Sequence, residues 1–102
     1  MDFIRIKGCP LCDIFTNKDI TSRVYYPETL DNIEKEEFVI IYSKDYKMPV
    51  VIYAEHISSV TSEAWGRMLY RCRKIFGNNI KLKEHNRRIK DHIHWGIYNI
   101  NS

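Results

Sequence analysis

The stretch Phe38-Val39-Ile40-Ile41-Tyr42-Ser43-Lys44-Asp45-Tyr46-Lys47-Met48-Pro49-Val50-Val51-Ile52-Tyr53 decides the fold class. It holds two near-continuous apolar runs, Phe38 to Tyr42 and Pro49 to Tyr53. Strands look like this when both faces of a sheet are covered. The link from Ser43 to Met48 is short and polar, which predicts an antiparallel hairpin. Upstream, Phe3 to Ile6 alternates and reads as a strand ended by Gly8, with the following cysteines on a turn. Residues Thr16 to Asn32 are polar and irregular, broken by Pro27, with a short strand candidate at Ser22 to Tyr26. Downstream comes the clearest helix. Thr61 or Ser62 can cap it, and Glu63 suits the positive end of its dipole. Trp65, Met68, Leu69, Cys72, Ile75 and Phe76 recur at steps of three and four as one apolar stripe, and Gly77-Asn78 is a plausible stop. Ile80 to His85 and His92 to Tyr98 read as two closing strands. The expected class is therefore α+β: one domain spanning 1–102, an antiparallel sheet of five-stranded type with one main helix packed on it.

Composition removes other classes. A chain of 102 residues supports one domain with a modest core, to which a metal or a dimer partner would add stability. Four Gly and three Pro are too few for a linker, and 13% aromatics are too many for a disordered chain. No apolar run approaches the ~20 residues of a membrane span, so no membrane partner is expected. The net charge of +3 does not by itself call for nucleic acid. Met1 to Lys7 alternates apolar and charged residues and does not read as a signal peptide. A cytoplasmic, reducing setting is expected, in which three cysteines do not form a disulfide framework.

Two constellations carry chemistry. Cys9-Pro10-Leu11-Cys12 has the C-x2-C spacing that places two thiolates on one zinc ion. Two further ligands are needed, and His56, His85, His92 and His94 are available. A thiol redox pair and two inert loop thiols are the alternatives; the redox reading wants a βαβ pattern that the chain lacks. The second constellation is His92-Ile93-His94-Trp95-Gly96. Side chains on a strand repeat every two residues, so His92, His94 and Gly96 share one face while Ile93, Trp95 and Ile97 share the other. A ring on that face can be a nucleophile, a base or a ligand, or a solvent-facing side chain on an edge strand.

Taken together, Cys9-Pro10-Leu11-Cys12-Asp13-Ile14, then Ile52-Tyr53-Ala54-Glu55-His56-Ile57, a helix, and Asp91-His92-Ile93-His94-Trp95 resemble the histidine triad family over most of the chain. The resemblance implies a HIT-like α+β fold that pairs into a homodimer. It also implies hydrolysis or transfer at the α-phosphate of a nucleotide or nucleotide-like phosphate ester through a nucleotidyl-histidine intermediate. His94 matches the nucleophile, His92 the first histidine of the triad, and His56 the histidine after the second hairpin strand. As in the zinc-bearing members, Cys9, Cys12, His56 and His92 would hold zinc.

The departures from the family pattern shape the expectation. Gly96 stands where the third histidine would be and has no side chain to donate to a phosphate oxygen or a leaving group. The segment before the triad has no Gly or Ser, but Arg87, Arg88 and Lys90 are candidate phosphate-binding residues, since guanidinium recognises phosphate well. The acidic residue that holds ribose in the family has no clear match; Asp45 lies a few residues beyond its place. A catalytically inactive binding protein that keeps the zinc site is the alternative. A zinc-bearing nucleic-acid binder using Lys81, Lys83 and the basic run is a third. His85 is open between the zinc site, the phosphate site and the surface. Trp95 and Cys72 read as core residues, and Tyr25, Tyr26, Tyr42, Tyr46 and Tyr53 as strand packing or a nucleotide pocket.

Overall fold

A computed structural model describes residues 3–17, 20, 22–85 and 91–100. Its elements are α1 (Pro10–Asn17), β1 (Val24–Tyr26), a 3-10 turn (Ile33–Lys35), β2 (Phe38–Ser43), β3 (Met48–Tyr53), α2 (Ser62–Phe76), β4 (Lys81–Glu84) and β5 (His94–Tyr98). The strands form one antiparallel sheet in the order β1-β2-β3-β5-β4.

The apolar hairpin is covered on both faces, as its composition requires. Phe38, Ile40, Val51 and Tyr53 point with Trp95 and Ile97 toward α2, where they pack on Ala64, Met68 and Cys72. The alternate residues Val39, Ile41, Val50 and Ile52 face Leu11, Cys12, Phe15 and Ile33 on the other side. The result is three layers: α2, the sheet, and α1 with the 3-10 turn. The register Ser43↔Met48 closes the hairpin, and the Tyr46 amide donates to the Ser43 hydroxyl at 3.1 Å.

Helix α2 follows its sequence signals. The Thr61 hydroxyl accepts from the Ala64 amide at 3.2 Å, so Thr61 and not Ser62 is the cap. Gly77 ends the helix at φ 103°, a conformation that favours glycine. Thr61→Ala should lower stability by about 1 kcal/mol, read from urea unfolding, because the amide it satisfies loses its partner. No loss would mean that solvent replaces the cap without cost.

Two expectations need correction. Residues Phe3 to Ile6 are not a strand. The Ile4 carbonyl accepts from the His56 amide at 2.8 Å and the Ile4 amide donates to the Glu55 carboxylate, but no ladder forms. Ile4 and Ile6 are 66% and 49% exposed, whereas Phe3 packs on the α1-side core and Arg5 is half-buried. The second correction is α1, which adds a second helix where a turn was expected. Pro10 sits in its first turn, a position where a missing amide N–H costs nothing. Phe15 anchors it, fully buried against the sheet. No helix among the described residues is long and apolar enough to cross a membrane.

Candidate metal centre and adjoining cleft

Three separate parts of the chain bring four ligands together. Gly8, at φ 92°, turns the backbone into α1, and the Cys9 carbonyl accepts from the Asp13 amide at 3.0 Å. Cys9 therefore stands at the helix entrance and Cys12 in its first turn. His56 lies in the loop after β3, tied by its amide to Ile4. His92 lies on the lead into β5, which is joined to the same loop by the Ile93 amide donating to the Ile57 carbonyl at 2.8 Å.

The ligand atoms of Cys9, Cys12, His56 and His92 all lie within 4.8 Å of one another and could hold a metal ion. Metal–sulfur bonds of about 2.3 Å and metal–nitrogen bonds of about 2.0–2.1 Å at a tetrahedral angle put sulfur and nitrogen about 3.6 Å apart. The observed separations from His92 Nδ1 are 3.5 Å to Cys9 Sγ and 3.3 Å to Cys12 Sγ, and Cys12 Sγ is 3.6 Å from His56 Nδ1. The cluster is thus already close to the edges of a coordination tetrahedron.

The surroundings prepare the donors. His92 Nε2–H donates to the Tyr53 carbonyl at 2.7 Å, which leaves the Nδ1 lone pair directed at the two sulfurs. A backbone carbonyl behind a ligating imidazole fixes its tautomer and its plane. Burial holds the His92 pKa down at about 4, helped by the neighbouring His56, His94 and Arg5 and opposed by the Tyr53 carbonyl. The neutral ring is the form that binds metal. Burial also pushes the Cys12 thiol up to about 11, against the pull of the Ile6 amide, which donates to its sulfur at 3.4 Å. All three cysteines are unbridged.

His94 does not join the cluster. Its Nδ1–H donates to the His92 carbonyl at 2.9 Å, and the ring lines a cleft of about 260 Å³ between α1 and the hairpin turn. Pro10, Leu11 and Ile14 form one wall; Ser43, Lys44, Asp45 and Tyr46 form the other. His94 as a whole is 2% exposed. His92, His94 and Gly96 lie on the α1 side of the sheet, as the two-residue period requires, and Ile93, Trp95 and Ile97 on the α2 side.

The space over Gly96 is filled. A Cβ built there would lie 2.5 Å from His85 Cε1, 2.8 Å from His85 Nε2 and 3.0 Å from Met48 Sδ. The half-buried His85 ring packs 4.3 Å from Tyr46 and 6.0 Å from His94, and its Nε2 meets the Tyr98 hydroxyl at 2.9 Å. Sequence reasoning left the place of His85 open. Its strand could be paired with β5 from the pattern, but the register that sets His85 opposite His94 is a tertiary property.

The remaining candidates sort clearly. Arg87, Arg88 and Lys90 lie outside the described residues. Tyr42 and Tyr46 line the cleft, whereas Tyr26 and Tyr53 pack on the α2 side. Trp95 is buried against Trp65, their ring centroids 5.2 Å apart. Cys72 is buried in the α2 core, and its thiol is pushed up to about 12 by that burial. Comparison with family models, with curated proteins and with solved structures returned no match for this chain.

Proposed function

We propose that this chain is a zinc-stabilised, histidine-triad-like protein that takes a nucleotide or nucleotide-like phosphate ester into the cleft and transfers its phosphoryl group through His94. Two sulfurs and two imidazoles at tetrahedral separations suit zinc better than a harder cation. Bound by Cys9, Cys12, His56 and His92, a zinc ion would hold the α1 entrance, the His56 loop and the His92 segment together and so steady the strand on which His94 stands.

The observation that carries the catalytic reading is the bond from His94 Nδ1–H to the His92 carbonyl. It leaves Nε2 as the ring nitrogen that can attack, and the ring lines the cleft. Attack by Nε2 on phosphorus forms a P–N bond and breaks the bond to the leaving group, which departs with the electron pair. Water then attacks the same phosphorus and returns Nε2 to its starting state.

A second reading, binding without turnover, is favoured by the absence of any side chain at Gly96. Incubation with a nucleoside phosphoramidate separates the two. His94→Ala should reduce turnover more than about 1000-fold, as loss of a nucleophile does. The unmodified chain, quenched without acid, should carry a nucleotidyl mass on the peptide containing His94. Equal rates for both proteins would leave only binding, measurable by calorimetry with the same compound.

A further inference from the structure

Glycine inside a strand weakens it and marks a close approach by something else. At Gly96 that something is the His85 imidazole, which occupies the space where a side chain at 96 would begin. We propose that His85 supplies, from the adjacent strand, the imidazole that the triad lacks, and that it is the proton donor to the leaving group. The inference rests on the reading of His94 as nucleophile.

Three features support it. The register Lys83↔Gly96 and Glu84↔Trp95 brings the next residue, His85, opposite His94, where its amide donates to the His94 carbonyl at 3.0 Å. The backbone that carries the ring is therefore pinned to the strand that carries the nucleophile. The ring itself is held from two sides. Tyr98, on the same strand face as His94 and Gly96, contacts Nε2 through its hydroxyl, and Tyr46 packs against the ring. The rings of His85 and His94 are 6.0 Å apart at an interplanar angle of 81°. His85 Nε2 stands over Gly96, on the same face of β5 as the His94 ring. Finally, the arrangement is exclusive. A Cβ at position 96 and the His85 ring compete for one volume, so the site accepts an imidazole from 96 or from 85 but not from both.

The chemistry balances without any further reactant. As the Nε2–P bond forms and the bond from phosphorus to the leaving atom breaks, the His85 imidazolium gives its proton to that atom. The neutral His85 ring then takes a proton from the attacking water as the P–N bond breaks, which restores both histidines.

The test compares leaving groups. Full-length protein is assayed with a nucleoside phosphoramidate, whose amine must be protonated to depart, and with the 4-nitrophenyl ester of the same nucleotide, whose nitrophenolate leaves unaided. His85→Ala should lose about 100- to 10,000-fold on the phosphoramidate, and at least about 30-fold more there than on the ester, as acid catalysis requires. His85→Gln carries the same comparison should His85→Ala unfold. The double variant His85→Ala/Gly96→His should recover part of the phosphoramidate rate. The same loss on both substrates, or no loss on either, overturns the role of His85; if His94→Ala is inert in that assay, the nucleophile reading stands. A wild-type chain that turns over neither compound overturns both.

Discussion

Removal of metal with a chelator should lower the melting midpoint by at least about 10 °C, and Cys12→Ser should lose metal and stability together. Structural zinc contributes roughly 10–16 kcal/mol in small peptides, while a whole domain is stable by roughly 5–15 kcal/mol. Even a third of the former is a large share of the latter. Here a metal on the four clustered residues would join α1 to the loop after β3 and to the lead into β5. Apart from any ion, α1 is held by the packing of Leu11, Cys12 and Phe15 on the sheet and on Ile33 of the 3-10 turn. The thiols must also ionise to bind, and the buried Cys12 thiol stands at about 11 without a cation. Metal affinity should therefore fall as the pH falls, with protons displacing the ion. Circular dichroism melts with and without chelator, beside metal analysis of both proteins, check this. About one zinc per chain is expected in the parent and none in Cys12→Ser. A variant that retains its metal would exclude Cys12 from the ligand set.

Gly96→Ala should destabilise the fold by about 1–3 kcal/mol, the usual cost of forcing a methyl group into an occupied volume. The added carbon would sit 2.5 Å from the His85 ring, so the ring must leave and its contact with the Tyr98 hydroxyl breaks. In a His85→Ala background the nearest remaining atom is Met48 Sδ at 3.0 Å, the flexible end of its side chain. The same substitution should then cost measurably less, so that the double-mutant cycle gives a non-zero coupling, on the order of 1 kcal/mol, between positions 85 and 96. Urea unfolding of the four proteins in the cycle measures it. Additive effects would mean that the two positions do not share a volume.

Much of this architecture was legible because it rests on local periodicity. The hairpin was set by two apolar runs and a polar link, α2 by its stripe and cap, and the two-sided pattern of β5 by alternation. Residues 3–6 misled because alternation describes only one strand, while a ladder needs a partner whose amides are available. Helix α1 was missed because its eight residues are too few for a clear period, although Pro10 marked its start. In the site, the C-x2-C spacing was readable because both thiols lie in one turn. Their imidazole partners are 44 and 80 residues from Cys12, and the family resemblance named them where spacing could not. The place of His85 depends on the pairing of β4 with β5, which no local pattern encodes.

The coordination cluster also dictates an order of events during synthesis. Cys9 leaves the ribosome 83 residues ahead of His92. The two thiols of a nascent chain therefore have no complete set of partners until His92 has emerged. A metal held by these four residues would therefore be captured only after three well-separated stretches of the chain have been made and brought together.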